Sequence, residues 1–474
     1  MGLIATLAGG LARVSLRLTG VAARLAGNPF RYLAGKPLER QLLVYDLPET
    51  QLALANDLAL VDTLLSDRAG TFPKSVVLEL LLRPLIGCGV FGQPGGHAVK
   101  QMRRIYVRAL SRVPEPDVGR IARGLTQQYL ASWQRAARPV RIPSELSRLT
   151  IDIVTLATLG GRFTPGEGQR FVELFFEYHK RASPMLLLLG PRDLAGRQAL
   201  ADRLGLGDIG RQMRALIRGR FLDPLLDDGS GARSAPFAAA LLDAGNLPRR
   251  DGLPLAADAV RQEAMLDEIA VMLLAGHETT ASVLSWLLWE LAATPDLQET
   301  SARLIAEQGR GGNDTFGAGP GKGQDRAQQW LAALIQESLR LYPPIAFLLR
   351  ETMEDVVFRE KAIRADSFVV VSPWTIQRHR GLWQAPDAFD PARWMAAEPP
   401  PAMANRLAFI PFGQGPRVCP GKRFAEIEMH AILSELLGAC RLSRTKRRSP
   451  KPLGTLTSRP DDDFRLLVTP LQRG

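Results

Sequence analysis

Between Ile269 and Leu291 the sequence stays apolar over the length of a long helix and contains no proline, so this segment has to cross the core of the fold that contains it. Its middle is anomalous. Ala275-Gly276-His277-Glu278-Thr279-Thr280 places a glycine, an acid and two threonines where a core helix normally continues with apolar side chains. Glycine costs about 1 kcal/mol in a helix interior, and threonine hydroxyls compete for backbone carbonyls. An interruption of this kind is expected to open the helix locally and line a site.

A second constraint is the segment Phe412-Gly413-Gln414-Gly415-Pro416-Arg417-Val418-Cys419-Pro420-Gly421. A cysteine that ligates iron as thiolate needs tight turns around it, donors aimed at its sulfur and positive charge nearby. Gly413, Gly415 and Gly421 are expected to permit turns that side chains would forbid. The run Lys422 to Leu437 reads as a helix whose positive N-terminal end faces the sulfur, and Arg417 supplies charge. The segment reads as a heme-thiolate loop.

The full pattern F-x-x-G-x-R-x-C-x-G resembles that of the cytochrome P450 family. The resemblance implies a mainly α fold, with a large helical domain, a small β-rich lobe and a long central helix over heme b (iron protoporphyrin IX). It implies Cys419 as axial iron ligand, Phe412 packed beside it, Gly413 and Gly421 shaping the loop, and Arg417 on a heme propionate. The A-G-x-[DE]-T-[TS] element of the family implies that Thr279 helps deliver protons to bound dioxygen. Glu278 is then the neighbouring acid, and Ala275 and Gly276 leave dioxygen room. The family leaves the His277 position free, so a core or solvated histidine is expected there. Glu337-Ser338-Leu339-Arg340, with Arg393 later in the chain, matches a structural charge cluster, and Arg350 matches a second propionate partner. The early-helix propionate contact departs from the pattern. Counting from His97 lands on Gln101, and counting back from Arg103 lands on Val99; Arg103 is taken as the contact, with His97 as the alternative and a solvated basic face as the plain reading.

The resemblance spans about Leu42 to Pro470. It divides the chain into an N-terminal segment, 1–35, and one heme domain, 36–474, with a flexible glycine-rich insertion at 309–324. Glycines near Lys322 lack the spacing of a phosphate loop, so no nucleotide site is expected. In the N-terminal segment Ile4, Leu7, Leu11, Val14, Leu18, Val21 and Leu25 alternate with Arg13, Arg17 and Arg24, and the first acid is Glu39. Residues 1–30 therefore suit peripheral membrane contact, packing on the domain, or a targeting peptide. A cytoplasmic protein, peripherally bound to a membrane if the first role holds, is the expectation.

The formal net charge of +12 would suit nucleic acid, but no reading motif accompanies it. Lys422, Arg423 and the cluster Arg441, Arg444, Lys446, Arg447 and Arg448 are expected to form one face that steers an acidic electron donor. That donor is a separate ferredoxin, flavodoxin or flavoprotein reductase. Cys88 and Cys440 are expected free in a reducing compartment, a pairing between them being the alternative. The expected activity is insertion of one oxygen atom from dioxygen into a C–H bond of a lipophilic substrate. Leu80 to Phe91, Met185 to Leu189, Met272 to Ala275, Ile345 to Leu349 and Leu456-Thr457 are expected to wall the pocket. A peroxide-using or isomerising heme-thiolate enzyme and a heme-based sensor are the alternatives.

Overall fold

Helical periodicity governs most of the chain. The computed structural model describes residues 28–471 apart from 48–49, 68–69, 94, 183–189, 192, 228–234, 245–256, 310–324, 397–399 and 462. The helices that build the site are α1 (Val76–Ile86), α2 (His97–Ser111), α3 (Glu115–Ala136), α4 (Ile142–Leu159), α5 (Pro165–Arg181), α6 (Leu206–Ile217), α7 (Ala257–Leu291), α8 (Arg326–Leu341) and α9 (Lys422–Ala439). Their ends carry capping signals that can be read locally. Thr164 and Glu167 form a reciprocal capping box at the start of α5, and Ser75 accepts from the Val77 amide at the start of α1.

The strands are short. They are β1 (Leu42–Leu47), β2 (Thr50–Ala55), β3 (Val140–Arg141), β4 (Leu348–Glu351), β5 (Val356–Phe358), β6 (Lys361–Ile363), β7 (Phe368–Val371), β8 (Cys440–Arg444), β9 (Pro452–Gly454), β10 (Ser458–Pro460) and β11 (Arg465–Pro470). The largest sheet has the order β1-β2-β7-β4, with β2 parallel to β7 in the register Leu52 to Phe368. Its inner face buries Ala53, Val369 and Val371 against Leu60, Val61 and Leu64, a core separate from the main helical one. This is the helical body with a small β lobe expected from the sequence.

The central helix α7 extends the apolar run N-terminally by three turns and is continuous through residues 275–280. The expected local opening is absent, because the Thr279 hydroxyl bonds back to the Ala275 carbonyl at 2.8 Å while the helix persists around it. Ile269, Leu273, Leu284, Leu287 and Leu291 are fully buried, and α7 packs along α4. Burying each such side chain stabilises the fold by about 1.5–3 kcal/mol. Gly276 belongs to that packing. A Cβ there would lie 2.6 Å from Val154 Cγ2 of α4, so close helix approach requires glycine here. The helix is long and apolar enough to cross a membrane, yet 78% of its apolar window is buried inside the protein.

Packing begins earlier than the expected boundary at residue 36. Asn28 donates to the Pro452 carbonyl at 2.8 Å, and the Phe30 ring lies 4.3 Å from the Trp374 ring. The basic segment that precedes Asn28, the cavity wall Met185 to Leu189 and nearly all of the glycine-rich insertion lie outside the described residues. No disulfide joins Cys88, Cys419 and Cys440.

Candidate active site

Cys419 sits in a turn locked from both sides. Its amide donates to the Phe412 carbonyl at 2.9 Å, closing the loop back on the aromatic residue. Gly413 and Gly415 have φ of 71° and 72°, and a Cβ on Gly415 would meet the Leu65 carbonyl oxygen at 2.4 Å. Gly421 differs from the expectation: its φ of −87° is open to any residue. The amides of Gly421 and Lys422, at the N-terminus of α9, donate to the Cys419 sulfur.

The thiol is solvent-accessible but enclosed by protein on most sides. Burial raises its pKa, and the two amides, Arg103 and the Lys422 charge only partly oppose that. The sequence suggested that the helix dipole and nearby charge stabilise a thiolate. Desolvation outweighs them, and a metal ion at the sulfur would favour the thiolate.

Around this thiol the chain gathers four cations, with the Asp67 charge acting on two of them, Arg350 and Arg417. Arg103 of α2 donates to the Val418 carbonyl, and Arg417 Nη1 donates to the Gln93 carbonyl at 3.1 Å. Arg350 of β4 bridges to Lys74, and Lys74 Nζ donates to the Phe91 carbonyl at 2.5 Å. Burial, followed by the charges of Arg417, Arg350 and Arg103, holds Lys74 well below its usual pKa. Burial and Arg417 bring Arg350 down to about 10. Lys74, Arg350 and Arg417 are each lowered by a neighbouring cation of the group, an arrangement that suits a polyanion. A thiol with two amide donors beside such a cluster fits a thiolate-ligated macrocycle carrying two carboxylates, so the donor set passes the test for heme. The structure thus brings Arg103, Arg350 and Arg417 to one place, whereas His97 lies exposed at the start of α2. Sequence reasoning missed Lys74, a lone lysine in no motif whose only signal is its tertiary neighbours.

On α7, Ala275, Gly276 and Thr279 are partly exposed in a stretch where the other positions are almost all buried. Glu278 points elsewhere: its Oε1 accepts from Thr457 at 3.4 Å and lies 3.9 Å from Arg459 Nη1. Burial raises its pKa, with Arg459 and Thr457 pulling it back. His277 is a core histidine, packed edge-on against Phe175 at 4.8 Å and bonded through Nδ1 to the Leu273 carbonyl. One step further along α7, Thr280 contacts Glu428 of α9, whose pKa burial raises well above the usual value. An acid four residues after Phe424 on the buried stripe of α9 was the available signal for that residue.

More than three turns before Thr280, Asp267 and Glu268 hold the loop after α1. Asp267 accepts from the Cys88 amide and pairs with Arg214 of α6 at 2.7 Å, and Glu268 accepts from the Val90 amide at 3.0 Å. Gly87 has a φ of 53°, and a Cβ there would fall 2.0 Å from Asp267 Oδ1. The Glu337 cluster is as expected. Arg340 Nε and Nη2 each donate to Glu337 at 2.8 Å, Arg393 Nε donates to it at 3.0 Å, and Glu337 and Arg340 are fully buried. Burial alone would raise the Glu337 pKa, but Arg340, the Asp390 amide and Arg393 together hold it below the usual value.

The expected single basic face is split. Lys422 and Arg423 lie beside the Cys419 loop, but the 18 residues of α9 separate them from Arg441, about 27 Å along the axis. Arg441 and Arg444 face Glu299 and Glu290 instead. A cleft of about 310 Å³ at the junction of α3, α4 and the start of α5 is lined by other residues, among them Tyr129 and Asp152, which bond to each other at 3.0 Å.

Known proteins share this fold. The family model described as Cytochrome P450 matches residues 40–467. The chain is 25% identical to cyclooctatin synthase of Streptomyces melanosporofaciens over 456 residues, 94% of this chain and 93% of that protein. It is 27% identical to taurochenodeoxycholic 6 alpha-hydroxylase of Sus scrofa over 401 residues, 80% of this chain and 75% of that one. Its fold matches the heme domain of a cytochrome P450DA mutant with a TM-score of 0.70 at 23% identity, covering 94% of this chain and 95% of that one. The chain therefore belongs to the cytochrome P450 family, oxidoreductases that carry heme and incorporate oxygen from dioxygen.

Proposed function

We propose that this P450 hydroxylates a lipophilic organic substrate, with Cys419 as the axial ligand of heme b and electrons supplied by a separate donor protein. The observation that carries the reading is the Cys419 thiol, which receives two amide donors beside Arg103, Arg350, Arg417 and Lys74. Those four cations would hold the heme carboxylates, and Phe412, beneath the Lys422 ammonium at 5.7 Å, would pack beside the sulfur. When bound, heme supplies the reductive activation of dioxygen, to which the thiolate contributes electron density.

The chain's own share is to bind, to exclude water and to control protons. Ala275 and Thr279 form the accessible stripe of α7, with Thr279 the hydroxyl able to hold a proton there once it turns from the Ala275 carbonyl. Glu278 is the adjacent acid, its pKa raised by burial and opposed by Arg459 and Thr457. The candidate walls are mostly aliphatic, among them Leu80, Leu81, Val90, Met272 and Leu348, and they favour an apolar substrate. The name of one relative, a hydroxylase, agrees with oxygen insertion. A basic N-terminal segment suits contact with an anionic membrane surface from the cytoplasm. Cosedimentation with anionic vesicles, reduced in protein lacking residues 1–27, tests it.

The deciding experiment is the carbon monoxide difference spectrum of the reduced, heme-loaded protein and of Cys419→Ser. A thiolate-type Soret band in the wild type that disappears in the variant supports the assignment. A histidine-type spectrum in a folded, loaded wild type would sink it.

A further inference from the structure

Glu278 is the inner end of a hydrogen-bonded line that reaches the partly exposed Thr455. Thr455 Oγ1 lies 2.6 Å from His179 Nδ1, and His179 Nε2 lies 3.5 Å from Thr457 Oγ1, which donates to Glu278 Oε1 at 3.4 Å. The line crosses three elements: the turn between β9 and β10, helix α5 and helix α7. Its inner members are almost wholly enclosed, His179 being 1% and Glu278 3% exposed. Both ring nitrogens of His179 therefore meet hydroxyl groups, whereas the core histidine His277 bonds only through Nδ1, to its own helix, and leaves its buried Nε2 without a partner. Phe175 packs edge-on at 4.6 Å and fixes the ring plane.

We propose that Thr455, His179 and Thr457 form a proton relay that resupplies Glu278 from solvent, a role that rests on the monooxygenase reading above. A water proton enters at the Thr455 hydroxyl as that group passes its own proton to the free Nδ1. Nε2 gives its proton to Thr457, whose hydroxyl proton moves to Glu278 Oε1. One proton enters, one reaches the carboxylate, and the ring remains neutral in its other tautomer. The reverse tautomer shift and hydroxyl rotations reset the line.

The charged and titratable groups facing the line are Arg459 from β10 and His277 from α7. Burial first, then Arg459 and His277, holds His179 well below its usual pKa, so near neutrality it has one donor and one acceptor nitrogen. Arg459, stacked 3.9 Å from the Phe176 ring, keeps partial positive influence on Glu278 without bonding to it directly.

The test follows the Glu278 carboxyl by infrared spectroscopy in the heme-loaded protein after a jump into D2O, with Glu278→Gln used to identify the band. Thr457→Val, nearly isosteric, and His179→Phe should each slow deuteration of that carboxyl roughly tenfold or more. They should also lower product formed per electron consumed, and the double variant should be no worse than the poorer single one, because the sites act in series. Two results would overturn the relay. One is deuteration as fast as in the wild type in both variants, even if substrate binding or thermal midpoint falls, which is what a mere clasp between α5 and α7 would give. The other is additive loss in the double variant. If deuteration depends on the line but no oxygenated product forms with any donor, the relay stands and the monooxygenase reading falls.

Discussion

Gly276 illustrates how a single missing atom sets the distance between two helices. Replacing it with alanine pushes a methyl group into Val154, an overpacking that should cost about 1–3 kcal/mol in chemical denaturation; Val154→Ala in the same chain should recover part of it. Three residues on, the Thr279 hydroxyl has a different job. Thr279→Ala removes a group that contributes little to stability, since its bond merely duplicates the helix ladder. It should leave the substrate-induced spin-state shift unchanged while product per electron drops about tenfold or more and peroxide rises, measured in a reconstituted assay. An enzyme driven by peroxide, or a sensor, would scarcely respond. Cys419, Thr279 and Arg417 were legible because their motifs specify several residue types at fixed spacing in a short stretch. Lys74 was not, because its meaning comes only from Arg350, Arg417 and Arg103 arriving from distant parts of the chain.

Helices and loops are joined by buried acids, and their pH behaviour differs in sign. In the α8 cluster, Glu337 has a depressed pKa, so its contribution is present at neutral pH and lost as the pH falls through the folded value. Glu337→Ala strands the fully buried Arg340 and should destabilise the protein by about 3–5 kcal/mol, read by denaturation and by loss of heme uptake. Glu268 is opposite. Burial pushes it from 4.5 up to about 8, opposed by the Val90 amide, so the folded state holds a proton that the unfolded state releases. Stability should therefore decline between about pH 4.5 and 8, by at most about 1.4 kcal/mol per pH unit from this group, and Glu268→Gln should flatten that slope in thermal melts. The pairing of Glu337 with Arg340 was readable from helix spacing, since positions three apart share a face. The grip of Asp267 and Glu268 on Cys88 and Val90 was not, because backbone amides leave no trace in side-chain pattern.

For the molecule as a whole, charge placement matters more than net charge. Helix α9 holds two basic groups apart, Lys422 with Arg423 at its start and the cluster from Arg441 to Arg448 beyond its end. If an acidic donor docks near Cys419, Lys422→Glu with Arg423→Glu should slow its reduction of the heme and weaken the salt dependence of the rate. Arg447→Glu with Arg448→Glu, at the far end of α9, should change neither in stopped-flow measurements. A rate indifferent to ionic strength in the wild type would remove steering from the account.

Local pattern alone determined the long core helix, the cysteine loop, the E-x-x-R pair and the helical class, because each depends on residues close together along the chain. Tertiary structure decided the rest. It set the convergence of four cations, the packing reason for Gly276, the net rise of the Cys419 pKa and the line from Thr455 to Glu278. In each of these, groups far apart in sequence come within a few ångströms and lose water together, and desolvation and through-space charge have no counterpart in the order of residues.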